Sequence, residues 1–293
     1  MKKVISLVLA TMLICCCNIA FAADGTQNIY SVTVNEYDVY VAERAKAQAR
    51  SYEADADNDP INKVVISDAI EQKLLQLSQM SDSELVNLGY RQEQIIILHN
   101  YKGERIETYP ALRSVFASMT ATFYKESASS SSMGIRVEWV WSSTPFLNTV
   151  TDMVVLRWKG TNSAGSSLNL AVNKSKSSCT ERFYSLSTGN YSYSKNVSLK
   201  TKDAYGCVYA SIPMTDDSNS VYAKTGRMIL YVDKTGSNSI NEAAFSFAYG
   251  HTTGTASISF SLPVGFGISF SSGCDKMVEK SIRMSSTGKI TAY

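Results

Sequence analysis

TTGTASISFSLPVGFGISFSS, residues 252–272, alternates apolar with small polar residues on both sides of Pro263. Ile258, Phe260 and Leu262 share one face, with Ser257, Ser259 and Ser261 on the other. After the proline, Val264, Phe266, Ile268 and Phe270 alternate with Gly265, Gly267, Ser269 and Ser271. A period of two over this length predicts two strands with one greasy face and one small, uncharged face. No Asp, Glu, Lys or Arg falls between Glu242 and Asp275. The chain is therefore read as a β protein in its last third.

Working outward, the same texture runs back to about residue 116. Met119, Ala121 and Phe123 alternate with Thr120, Thr122 and Tyr124, and Ile135, Val137, Trp139 and Trp141 form the next apolar face. These two runs predict a hairpin across the serine-rich loop 127–132. Further short strands are expected around residues 153–158, 168–172, 191–193, 207–212, 228–232, 244–249 and 278–284, separated by Gly, Ser, Asn and Asp turns. About ten short strands with such turns predict a mostly antiparallel β-sandwich or barrel rather than an α/β sheet.

Ahead of this region the chain reads helical. Residues 42–56 are rich in alanine and straight-chain residues, and the run DADNDP at 55–60 stops them as a solvated turn. Residues 67–80 predict a helix capped by Ser67, with Ile70, Leu74 and Leu77 as its apolar stripe. Ser81 and Glu84 form a capping-box pattern, Leu85 and Leu88 are expected to be buried, and Gly89 stands where a helix would end. A third helix is expected over 92–100, and a short one started by Pro110.

The expected organisation is thus α+β: a signal peptide at 1–22, a helical N-terminal region at 23–115, and a β-sandwich-like domain at 116–293. The first 22 residues carry Lys2 and Lys3, an apolar stretch and an Ala20-Phe21-Ala22 cleavage pattern. The expected location is therefore secreted and extracellular. Removing two lysines from 28 basic residues leaves 26 against 26 acidic residues, a net charge of zero. The halves differ: 15 acidic and 9 basic residues over 23–115, then 11 and 17 over 116–293. A basic rear half could face an anionic cell envelope or dock on the acidic front. No dense basic run points to nucleic acid.

Chemistry has few anchors. Of six cysteines, Cys15, Cys16 and Cys17 leave with the signal, so Cys179, Cys207 and Cys274 remain. One disulfide is possible, and Cys179–Cys207 is the shortest closure. No zinc, nucleotide or nucleophile-elbow pattern occurs, so no catalytic residue, metal or cofactor is assigned. His99 reads as a helix C-terminal residue and His251 as a turn histidine. A hydrolase would need His251 beside Cys179, Cys207 or a serine. Glu138, Asp152 and Glu181 are the carboxylates a glycosidase would draw on, but each reads as an outward charge. Trp139, Trp141 and Trp158 are expected in the core, leaving the loop tyrosines Tyr184, Tyr191, Tyr193 and Tyr205 as candidates for an exposed binding face.

The pattern Ser81-Asp82-x-Glu84-Leu85, Leu88-Gly89-Tyr90, Glu93-Gln94-Ile95 and Asn100-Tyr101-x-Gly103, followed by Trp139-Val140-Trp141 and Tyr249-Gly250-His251, resembles uncharacterised secreted proteins of Gram-positive bacteria. The resemblance implies export and a helical segment before a β-rich one, and it implies no catalytic residue. The expected role is non-enzymatic binding at the cell surface or outside it, with a cell-envelope polymer, a protein or membrane lipid as partner. Two alternatives stand beside it. Residues 252–272 have the length and pattern of a hairpin that inserts in a membrane through Ile258, Phe260, Leu262, Val264, Phe266, Ile268 and Phe270. A Cys/His hydrolase using His251 is the other.

Overall fold

The computed structural model describes residues 28–53, 61–146, 151–253, 258–271 and 273–292. The expected signal peptide, the DADNDP turn and residues 254–257 and 272 of the alternating stretch lie outside them. In chain order the elements are strand β1 (Asn28–Asn35), helices α1 (Glu36–Glu53), α2 (Ile61–Ser78), α3 (Asp82–Asn87) and α4 (Gln92–Asn100), and two short 3-10 turns, Ile106–Thr108 and Pro110–Ser114. Then come β2 (Ser118–Ala128), β3 (Ser132–Trp141), β4 (Thr151–Thr161), β5 (Ser167–Leu168), β6 (Leu170–Val172), β7 (Ser178–Ser185), β8 (Tyr191–Val197), β9 (Lys200–Asp203) and β10 (Cys207–Pro213). The chain closes with β11 (Val221–Lys234), β12 (Glu242–Thr252), β13 (Phe260–Ser261), β14 (Ser269–Phe270), β15 (Cys274–Ser285) and β16 (Ile290–Ala292).

The fold is mostly antiparallel β with few helices, in two open seven-stranded sheets. The first runs β1-β2-β3-β11-β7-β8, with β6 also on β11; the second runs β16-β15-β12-β4-β10-β9, with β5 on β4. The largest apolar cluster draws on both sheets and includes Phe123, Val137, Trp139, Leu156, Phe245 and Phe247. Trp139 of the first sheet stacks on Phe247 of the second at 5.8 Å, and Phe123 meets Phe247 edge-on at 6.1 Å. Offset and edge-on rings of this kind add to the burial of their area. The three tryptophans are buried, as their alternation predicts.

The N-terminal region corrects the expectation of a helical segment in one respect. Residues 28–35 form β1, the edge strand of the first sheet, paired to β2 with Thr33 opposite Thr120 and Ser31 opposite Thr122. Their hydroxyls bond at 2.8 and 3.0 Å. Valines and tyrosines every second residue suit a half-buried strand. The strand ends where the Asn35 side-chain oxygen accepts the Tyr37 amide at 2.9 Å and α1 begins. α2 likewise starts at Ile61, so Ser67 lies within it rather than capping it.

The helical hairpin forms as its start and stop signals predict. Ser81 and Glu84 make the reciprocal capping box, with the Ser81 amide donating to Glu84 Oε2 at 2.8 Å. At the other end the Tyr90 amide reaches the Leu85 carbonyl at 3.0 Å and the Gly89 amide that of Val86 at 2.9 Å. Gly89 holds φ +89°, which a residue with Cβ rarely adopts. Leu85, Ile95 and Leu98 are buried with Leu74 and Leu112 in a second cluster. Leu88, expected to be buried, is instead exposed at the C-cap of α3, and Ile96 of α4 is exposed as well.

Residues 252–272 depart most from expectation. It contributes two strands of two residues each, a separate two-stranded sheet. The rest of residues 258–271 folds back over the second sheet's other face, where Phe260 and Ile268 pack with Met153, Val155, Cys207 and Ala248.

Candidate functional site

The alternation of β7 buries Cys179, Glu181 and Phe183 and turns Thr180, Arg182 and Tyr184 the other way. Pairing then sets the outer face: Arg182 lies opposite Ser194 and Thr225, and Thr180 opposite Asn196 and Arg227. A register shift between Ala223 and Thr225 bends β11 here. The result is a hollow of about 280 Å³ lined by Thr180, Arg182, Ser194, Asn196, Thr225, Gly226 and Arg227. Hydroxyls, an amide and two guanidinia line it, without a carboxylate.

Next to the hollow, Glu138 corrects the expectation of a solvated charge: it points outward but is only 3% exposed. Burial pushes its carboxyl up, and Arg136, Arg227 and Arg182 pull it back down. Arg136 Nε stands 3.0 Å from Glu126, and Nη1 3.5 Å from Glu138. Three guanidinia against two carboxylates leave this face positive. At its far end Tyr184 meets Tyr191 edge-on at 5.8 Å, with the Lys224 ammonium 5.3 Å from the Tyr184 ring.

Of the four candidate tyrosines, the structure therefore brings Tyr184 and Tyr191 together. Tyr193 stacks on Phe183 at 4.8 Å, on the opposite side of its strand. Tyr205 is exposed in the turn between β9 and β10, in the other sheet.

A second constellation is wholly buried. His251 is a strand residue, not a turn histidine, and is 2% exposed. Its Nδ1 lies 2.9 Å from Asp152 Oδ2, and Nε2 lies 3.4 Å from Glu36 Oε1. Asp152 also accepts the Tyr249 hydroxyl at 2.8 Å and the Thr252 amide at 2.9 Å. Glu36 accepts the amides of Ala117 and Phe146 at 2.9 and 3.0 Å. Burial opposes the charge on His251, but Asp152 and Glu36 outweigh it and raise its pKa to about 9. Burial raises Glu36 to about 7, against the pull of His251. The imidazolium thus ties the first turn of α1 to β4 and β12.

Asp152 and Glu181 also correct the outward reading, since both are 0% exposed. Glu181 is pushed well above the ordinary carboxylate range by burial and by Asp152. It lies over Gly226, where an added Cβ would come within 2.3 Å of its Oε1 and 2.4 Å of Trp139.

The cleft beside His251 measures only about 20 Å³, bordered by Glu36, Phe116, Phe146 and Asp275 among others. That is room for about one water molecule. The hydrogen bonds of His251 run to Asp152 rather than to a cysteine or serine. Sequence reading missed Glu36. Its signal was Asn35, a capping residue directly after a strand pattern.

Cys179, Cys207 and Cys274 are all free and buried. The possible Cys179–Cys207 bridge does not form, because the two thiols lie in different apolar clusters on opposite faces of the second sheet. Cys179 sits in the large shared cluster and Cys207 under the folded-back segment. His99, at the end of α4, lies 2.9 Å from Asp82 and 3.1 Å from the Ser78 carbonyl. The Asp82 bond raises its pKa. Among the described residues no group of three or more His, Cys, Asp or Glu is placed to hold a metal.

In the folded-back segment, Phe260 and Ile268 are buried, Ile258, Leu262, Phe266 and Phe270 half-buried, and Val264 fully exposed. Basic side chains clamp its backbone. Arg157 donates to the Gly267 carbonyl at 2.5 Å, Lys202 to that of Phe260 at 2.5 Å and Lys276 to that of Ile268 at 3.0 Å.

No family model and no curated sequence matches this chain. Among solved structures, AvmM, described as catalysing macrocyclization in alchivemycin A biosynthesis, is 9% identical with a TM-score of 0.27, covering 57% of this chain and 88% of its own. The KRT10-binding region domain of the pneumococcal serine-rich repeat protein PsrP is 10% identical with a TM-score of 0.21, covering 46% and 76%. Clostridium perfringens delta-toxin is 11% identical with a TM-score of 0.22, covering 60% and 88%. Likenesses this slight carry no argument for the present chain.

Proposed function

We propose that this is a secreted, non-enzymatic binding protein: a β-sandwich behind a helical region, recognising its ligand on the exposed face of β7, β8 and β11. The observation that carries the reading is the hollow between Arg182 and Arg227. Its lining donates hydrogen bonds in several directions, and the surrounding face carries excess positive charge. Such a surface suits a ligand with both hydroxyls and anionic groups, as in a cell-envelope polysaccharide. Guanidinia grip carboxylates and sulfates in a bidentate fork that lysine lacks. The Tyr184–Tyr191 pair extends the hollow with an apolar platform on which a sugar ring can lie.

The buried His251 cluster is consistent with a structural role: it joins helix to sheet, and among the described residues the cleft beside it has room for about one water molecule. The test is binding of carboxylated, sulfated and neutral oligosaccharides by calorimetry, with wild type and Arg227→Gln. Binding of an anionic saccharide, weakened by the substitution and by salt, supports the proposal. Uptake of none of them, or binding indifferent to Arg227, would sink it.

A further inference from the structure

The ladder of β12 and β15 carries an instruction that the segment between them does not follow. After the shift at Tyr249/Gly250, the two strands pair Gly250 with Lys276, His251 with Asp275 and Thr252 with Cys274. Carried forward without change, that register sets Ile258 opposite Ile268 and Phe260 opposite Phe266. Ser259 then faces Gly267, Ser261 faces Gly265, and Leu262-Pro263-Val264 become a three-residue loop. These two apolar pairs fall on one face and these two Ser/Gly pairs on the other. The pattern is symmetric about Pro263.

The structure holds the segment in another register. Phe260 pairs with Phe270 and Ser261 with Ser269, four residues away from the continuation. Because the displacement is even, the same side chains keep the same face in both registers. The present ladder is two residues deep on each side. It is continued by the Ser271 amide on the Ser259 carbonyl at 2.9 Å and the Ser259 amide on the Ser271 hydroxyl at 3.0 Å, and fastened by Arg157, Lys202 and Lys276 on the Gly267, Phe260 and Ile268 carbonyls and by Glu279 accepting the Ile268 amide at 2.7 Å.

We propose that the segment carrying residues 258–271 is a stored membrane hairpin, which leaves the second sheet and extends β12 and β15 across a lipid bilayer. Residues 253–261 and 265–273 supply nine per arm, a length that spans the hydrocarbon core when strands tilt. No charged side chain has to enter lipid. Ile258, Phe260, Phe266 and Ile268 face the acyl chains, while the Ser and Gly face lines a polar interior. Exposed Val264, beside Pro263 at the tip, is placed to enter first.

An isolated hairpin in lipid leaves unpaired edges, so several copies must close a barrel. The smallest such barrels have eight strands, which requires about four copies of this chain. In water, departure would bare Met153, Val155 and Tyr209 while exposing the segment's own apolar face, and both effects hold it down. Lipid removes the second. This inference does not depend on the saccharide reading.

The experiment uses dye-loaded vesicles of phosphatidylcholine, phosphatidylglycerol and cholesterol. Wild type is expected to release the dye. Ser261→Cys with Ser269→Cys joins a pair that exists only in the present register. Oxidised, it should melt as wild type does and leave release at the protein-free background; reduction should restore it. Single cysteines at Phe266, Gly267, Phe270 and Ser271, labelled with a polarity-sensitive dye, should be quenched by lipid-borne quencher at the first and third only. No release by wild type, release that ignores the cross-link, or quenching without a two-residue period would each overturn the proposal.

Discussion

β12 and β15 and the segment that joins them share one sequence habit and meet two fates. Along β12, Ala243, Phe245, Phe247 and Tyr249 alternate as Ile258, Phe260 and Leu262 do later. The first set is fully buried and reaches aromatic partners in the first sheet, Trp139, Trp141 and Phe123. The second set folds back onto Met153 and Val155 instead, and its ring Phe260 meets Tyr209 of the second sheet edge-on at 5.2 Å rather than a ring of the first. Alternation therefore specifies a strand with a greasy face, and tertiary context specifies what covers it. Between the two regions stands the Glu36–His251–Asp152 cluster, at the last residues of the long ladder.

The sharpest break in that comparison is a truncation inside the ladder. Phe247→Ala removes a ring in contact with Trp139 and Phe123, and is expected to cost about 3–5 kcal/mol in the denaturant midpoint. Close behind comes Asp152→Asn, which strips His251 of its charge partner and should cost about 3 kcal/mol. If a stability change below the error of a urea titration followed, the cluster would not be a fastening.

The cluster also sets a pH dependence with a definite sign. His251 gains its partners on folding and moves from 6.5 to about 9. Its contribution is full below 6.5 and is lost as pH rises through 9. Glu36 moves from 4.5 to about 7, so its ionisation is harder in the fold, and stability falls as pH rises from 4.5 to 7. Both act in the same direction. Asp82, Glu84 and Glu104, whose pKa values are lowered by hydrogen bonds, act oppositely and at lower pH. The melting temperature should therefore decline from about pH 5 to pH 9, and Glu36→Gln should flatten the first half of that decline. A curve rising with pH over this interval would show that other groups govern it.

How much of this was legible follows from the range over which each signal acts. The capping box at Ser81–Glu84 and the Gly89 stop are local chemistry, and they formed as written. The strand texture from Met119 onward and the burial of Trp139, Trp141 and Trp158 follow from alternation. Pairing was not legible. Nothing in spacing tells that Cys179 and Cys207 lie on opposite faces of the second sheet, so the cysteine bridge failed. The same gap hid Asp152 and Glu181, whose burial depends on partners about a hundred residues away or on Gly226. A lone carboxylate in a strand reads as outward by default, because the cost of burying it is visible only once its partners are known. The hollow could not be foreseen either, since it is assembled from three strands.

The smallest expected effect concerns the folded-back segment itself. Ile268 is as buried as a core residue, at 1% exposed, and Ile→Ala in a core costs about 2–5 kcal/mol. Here the cost has a ceiling. Once it exceeds the free energy that holds the segment down, the segment opens first, and the two sheets lose nothing further. Ile268→Ala should therefore shift the global denaturant midpoint by less than about 1 kcal/mol, while amide exchange of Ile268 and Ser271 rises and that of Phe245 and Phe247 stays constant. A full core-sized loss, with both sets of amides moving together, would mean that the segment and the ladder form one cooperative unit. The contrast between them would then be one of geometry alone.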